Sequence, residues 1–97
     1  MNAFVVAERI RVLDGEKLQL YLDAVSPTIE HHGGCYDVVS GPAEVLEGDW
    51  RPQALVIIEF PSREQAIAWW NSSEYASLKA LRREAAVYNM VLVEGVE

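Results

Sequence analysis

What is scarce in this sequence narrows its function first. Cys35 is the only cysteine, so no disulfide can form within the chain, and a reducing cytoplasm is the expected compartment. Eight Lys and Arg stand against fifteen Asp and Glu, a net charge of −7. That balance excludes nucleic acid, whose phosphates demand basic patches, and it excludes an anionic membrane surface. No apolar stretch approaches the roughly 20 residues of a membrane helix. The opening residues, MNAFVVAERIRV, lack the basic start and small-residue cleavage pattern of a secretion signal and read as a strand. Glycine-rich phosphate loops and the G-x-S-x-G nucleophile turn are missing too.

What is present reads as one folded domain over residues 2–95. Hydrophobic residues make up 51% of the chain, far above a disordered composition. The β-branched run at residues 3–12 is a strand, and Asp14 is placed to cap the helix that follows. Over residues 16–31, Leu18, Leu22, Val25 and Ile29 recur at spacings of four, three and four, the face of an amphipathic helix with Tyr21 and His32 at its edge. Pro27 inside it predicts a kink. Gly33-Gly34 ends it. Residues 35–40 and 54–60 are strands. Ser62 with Gln65 forms a capping pattern for a helix whose apolar stripe is Ala66, Ile67 and Trp70. Asn71-Ser72-Ser73 interrupts it, and a further helical piece runs from Glu74 to Ala86. Residues 87–94 close the chain as a strand. The order β-α-β-β-α-β, with its second helix broken in two, predicts an α+β, ferredoxin-like fold with a four-stranded antiparallel sheet.

Both faces of the strands are apolar. Leu55 and Ile57 oppose Val56, Ile58 and Phe60; Phe4 and Val6 oppose Val5 and Ala7; Val91 and Val93 oppose Met90 and Leu92. Helices can cover one face only, and soluble monomers rarely leave such a patch bare. A homodimer packed sheet to sheet follows. The acidic connection EVLEGDW, residues 44–50, ends in Trp50 and then Pro52, with Gly48 suited to a turn of positive φ. It reads as an arm that clasps the neighbouring subunit. Trp50, Pro52, Val56 and Ile58 are the interface candidates.

Arg82 shares a helical face with Tyr75 and Leu78. An inward Arg beside Tyr75 and Trp70 suits a small carboxylate or phenolate by bidentate contact; a structural pair with Glu59 or Glu94 is the plainer role. His32 is a weak candidate for a proton acceptor, against capping the last carbonyls of its helix. Tyr21, His32, Trp70, Tyr75 and Arg82 together are the ligand-binding candidates. Adjacent His31 and His32 point about 100° apart, and Cys35 with Asp37 makes no familiar zinc pattern, so no metal is expected. Nothing in the sequence calls for a cofactor. Two roles remain open: an enzyme or binding protein with a pocket between sheet and helices, and a non-catalytic homodimeric module.

HHGGCY, EVLEGDWRP, LVIIEFPS, AIAWWNSSEYASLKALRREA and LVEG, read together, resemble the small bacterial family of domain of unknown function 1330. The resemblance covers about residues 2 to 95 and takes in Gly33, Gly34, Glu47, Gly48, Pro52, Glu59, Phe60, Pro61, Ser62, Trp70, Ser72, Tyr75, Arg82 and Glu94-Gly95. It implies a dimeric α/β barrel, a superfamily that also holds cofactor-free antibiotic-biosynthesis monooxygenases, dye-decolorising and haem-degrading proteins, and muconolactone isomerases. Fold does not carry function across such a set. After the second strand, where many members look like RGG, this chain has Val39-Ser40-Gly41-Pro42, so an anion-binding Arg there is not implied.

Overall fold

The computed structural model describes residues 1–96. Asp14 starts the first helix as expected, its carboxylate accepting from the backbone N–H of Glu16 and of Lys17 at 3.1 Å each. Ser62 and Ser72 do the same for the later helices, accepting from Gln65 N and Tyr75 N at 3.2 Å. Ser72 also donates to the carbonyl of Trp69 at 2.8 Å, so one hydroxyl closes one helix and opens the next. The elements are β1 (Ala3–Val12), α1 (Gly15–Glu30), β2 (Cys35–Gly41), β3 (Ala54–Phe60), α2 (Arg63–Trp70), α3 (Ser73–Ala85) and β4 (Ala86–Glu94). Gly33, at φ 78°, turns the chain out of α1. Gly34 is then pressed so close to the core that a Cβ would stand 2.6 Å from Phe60 Cε1.

The four strands form one antiparallel sheet in the order β2-β3-β1-β4, the ferredoxin-like arrangement. All three helices lie on one face. There Val5 pairs across the strands with Ile58 and Leu92, and Ala7 with Val56 and Met90. Of these, Val5 and Ile58, with Val56 and Leu92 packed against them, meet Tyr21, Val25 and Ile29 of α1, Ala66 and Trp69 of α2, and Tyr75 of α3 in one apolar cluster. Among the described residues no helix is long and apolar enough to cross a membrane.

The other face is left to Phe4 and Val6 of β1, Leu55 and Ile57 of β3, and Val91 and Val93 of β4, opposite in parity to the core residues. This corrects two interface candidates. Ile58 is 4% exposed in the core and Val56 packs against it, because the helices cover that parity. Leu55 and Ile57 hold the open positions instead.

Two helix faces also turn out differently. In α1 it is Tyr21, not Leu22, that lies in the core; Leu22 is 38% exposed. In α2 the buried pair is Ala66 and Trp69, and Trp70 is half-buried. The reason lies in polarity. The Trp69 indole N–H needs an acceptor when buried and finds Thr28 Oγ1 at 3.0 Å, while Thr28 donates to the Val25 carbonyl at 2.7 Å.

Candidate functional site

Tyr75 and Arg82, two helical turns apart on α3, both point at the sheet. Opposite them on α1 stands Tyr21. The Tyr21 and Tyr75 hydroxyls are 2.9 Å apart, and Arg82 Nε donates to Tyr75 Oη at 3.3 Å. All three side chains are buried. Burial first, then the neighbouring Tyr75, hold the Tyr21 hydroxyl far above the ordinary phenol range, against a small opposing pull from Arg82. Tyr36, on β2, is pushed up to about 12, again chiefly by burial. Tyr21 and Tyr36 are therefore neutral donors near neutral pH, not phenolate bases.

Arg82 has an unusual setting. It is 5% exposed, yet among the described residues no carboxylate lies within ion-pair distance of it. The expected pairing with Glu59 or Glu94 does not occur; Glu94 lies instead 3.9 Å from Arg63. The guanidinium is flanked by the rings of Tyr88 at 5.3 Å and Trp70 at 5.9 Å. Nε is spent on Tyr75, and no buried side-chain nitrogen among the described residues lacks a partner. The terminal nitrogens therefore reach a cleft of about 390 Å³ between α3 and the start of β4, whose walls include Trp70, Arg83, Tyr88 and Met90.

Tyr88 and Met90 also wall a second space of about 140 Å³, under α1, with Arg9, Tyr21, Tyr36 and Val56 around it. Ser40, at φ 53°, contributes to its rim. An apolar cavity of about 150 Å³ is enough for a benzene ring. Arg9, Tyr36 and Tyr88 were not among the sequence candidates. The strand parity that turns Val5 and Ala7 inward also carries Arg9, which pairs in register with Tyr88.

Of the candidates, Tyr21, Trp70, Tyr75 and Arg82 come together and His32 does not. His32 lies past the far end of α1, its Nδ1 2.9 Å from the Thr28 carbonyl and 3.5 Å from Glu74. His31 Nδ1 is 2.9 Å from the same Glu74. The pair ties the C-terminus of α1 to the first turn of α3, which is why His32 is held away from Arg82. Trp50 is 61% exposed and, with Pro52 and Leu55, lines a surface groove of about 340 Å³. Gly48 adopts φ 92°, the positive-φ turn expected there.

A separate group gathers at the sheet edge. Cys35 pairs in register with Glu59, and their ligand atoms and that of Asp37 lie within 4.8 Å of one another. A hydrogen bond with Asp37, then desolvation, raises the Glu59 carboxyl. Asn2 Nδ2 donates to Glu59 from the other side. The Cys35 thiol is raised as well, by desolvation first and by Asp37 next, which makes it a poor nucleophile. Cys35 and Asp37 lie on one strand, and Glu59 reaches them through the strand register. Two carboxyls and a thiol at this spacing are chemically able to hold a cation.

Comparison with known proteins agrees with this architecture. The family described as Domain of unknown function (DUF1330) matches residues 2–96. A protein of unknown function from Rhodopseudomonas palustris has a similar structure at a TM-score of 0.75 and 16% identity, covering 99% of this chain and 83% of that one. A protein named as a candidate antibiotic biosynthesis monooxygenase from Nitrosomonas europaea follows at 0.60 and 14%, covering 98% and 89%. Another so named, from Chloroflexus aurantiacus, stands at 0.55 and 16%, covering 98% and 96%. At these identities the likeness is one of fold. No curated protein matches the chain.

Proposed function

The chain belongs to the DUF1330 family, and on that footing we propose that it is a homodimeric protein that binds a small aromatic carboxylate or phenolate between its helices and its sheet. The observation that carries this reading is Arg82, buried without a carboxylate and opening on a cleft between aromatic rings. A buried charge is costly unless it is paired, and an anionic ligand would supply the missing partner. The tyrosine-walled cavity beside it is sized for a ring. With His32 engaged elsewhere, the reading is one of binding, without an assigned reaction. Residues 2–95 act as one unit in it, and the unpaired Cys35 supports a reducing, cytoplasmic setting.

The dimer rests on the apolar outer face of the sheet and on the arm beside it, where Trp50 and Leu46 are exposed at 61% and 92%. A second copy laid on this face would cover both. A non-catalytic homodimeric module is the second reading. It draws on the Tyr21–Tyr75 hydrogen bond, which satisfies two buried hydroxyls within the fold.

A thermal-shift screen with small aromatic acids and lactones separates the two. A ligand at about 100 times its Kd stabilises by about 2.7 kcal/mol, which for a domain of this size means a melting shift of about 10 °C or more. Arg82→Ala should abolish that shift while lowering the ligand-free melting point only modestly. No shift with any acid, together with a large loss of stability in Arg82→Ala, would favour the structural module.

A further inference from the structure

The few basic residues of this acidic chain are unevenly spread. Lys79, Arg82 and Arg83 share one side of the last turns of α3, at spacings of three and four. Two of them converge on one ring: Lys79 Nζ stands 4.1 Å from the centre of Trp70, and Arg82 Cζ stands 5.9 Å from it. Arg82 and Arg83 both line the 390 Å³ cleft. The nearby acids are committed elsewhere. Glu84 is held by Lys17 at 2.9 Å and Glu74 by His31 at 2.9 Å. Among the described residues, none of the three cations has an ion-pair partner. Desolvation, then Arg83 and Arg82, lower the Lys79 ammonium from its usual value, a sign that the three charges feel one another. A helix C-terminus favours cations, which accounts for Arg83 at the surface. It does not account for a guanidinium buried inward beside two other cations.

We propose that this cleft takes a doubly charged head group, either a phosphate monoester or two neighbouring carboxylates, carried on the small aromatic ligand. The inference rests on the preceding reading and adds the ligand's charge and the residues that recognise it. Arg82 and Arg83 offer planar forks to the head-group oxygens. Lys79 adds positive potential from its seat on Trp70, and Tyr88 and Trp70 present ring faces to the aromatic part. One negative charge would leave the convergence of three cations only partly relieved.

Isothermal titration with benzoate, phthalate, phenyl phosphate and inorganic phosphate tests this, at fixed ionic strength and above the second phosphate ionisation. At least one aromatic dianion should bind about tenfold or more tighter than benzoate, the factor expected of an added charge-assisted contact. Which of phthalate and phenyl phosphate wins identifies the head group. Arg83→Gln, at an exposed position, should erase the dianion advantage; Lys79→Gln should reduce the advantage less. Benzoate binding as tightly as both dianions, or an advantage untouched by Arg83→Gln, would overturn the inference and leave the aromatic-acid reading standing. Silence from all four probes would remove both. Binding of inorganic phosphate alone would keep the charge site and remove the aromatic pocket.

Discussion

Tyr75 is the hub of the buried polar chain, and removing its hydroxyl should be felt on both sides. Its oxygen accepts from Arg82 Nε at 3.3 Å and exchanges a hydrogen bond with Tyr21 at 2.9 Å. Tyr75→Phe leaves two buried groups without a partner. Each such group costs about 1–3 kcal/mol, and the longer Arg82 contact contributes the smaller share, so the total should be about 2–4 kcal/mol. Tyr21→Phe leaves Tyr75 its contact with Arg82 and should cost only about 1 kcal/mol. In the double variant the stranded Tyr21 hydroxyl is gone. Its cost should therefore fall short of the sum of the singles by about 1 kcal/mol or more, as coupled neighbours do. Urea denaturation at a fixed protein concentration reads all three as midpoint shifts at constant slope. Equal costs for the two single variants, or additivity within about 0.5 kcal/mol, would refute the hub.

The sheet faces give a contrast within two adjacent residues. Ile57→Lys should leave a folded monomer by light scattering, whereas Ile58→Lys, at a position 4% exposed, should fail to fold; a dimeric Ile57→Lys would move the interface elsewhere. Thr28→Val keeps the side chain's shape but removes the acceptor of the Trp69 indole, and should cost about 1–3 kcal/mol in thermal or urea melts. Glu59 titrates with a definite sign. Its folded value lies above the usual 4.5, first because of a hydrogen bond with Asp37 and then because of desolvation. It therefore contributes stability below that pH and loses it as the pH rises through the raised value. Glu59→Gln should then be more stable than the parent at neutral pH, with the gap closing on acidification; a gap that widens in acid would reverse the assignment.

The element order was legible because each boundary carries its own local signal: Asp14 and Ser62 as caps, Asn71-Ser72-Ser73 as the break before α3, and Gly33-Gly34 as the stop to α1. The choice of face was not. In β3 every position from Leu55 to Ile58 is apolar, so alternation marks two faces but cannot say which one the helices cover. That choice is made by residues distant in sequence, and it moved Val56 and Ile58 into the core. Leu22 lost its core position to Tyr21 because the Tyr75 hydroxyl was waiting across the helix pair. Trp69 displaced Trp70 for the same kind of reason, an acceptor on Thr28 that no spacing rule reveals. For His32 the plainer of its two roles holds, since it bonds the carbonyl of Thr28 in the last turn of α1. Arg9, Tyr36 and Tyr88 were within reach of strand parity, but the partnership of Glu59 with Cys35 and Asp37 depends on strand register.

The three indoles of this protein supply the most direct test of the central claim. In a ¹⁵N-resolved NMR titration with an aromatic acid, Trp70 and the Arg82 Nε–H lie at the proposed site, Trp69 lies in the sealed core, and Trp50 lies on the outer arm. The account predicts that the Arg82 Nε and Trp70 signals shift together and saturate while Trp50 stays in place. A titration that moves Trp50 alone, or one that leaves Arg82 and Trp70 unmoved, would contradict it.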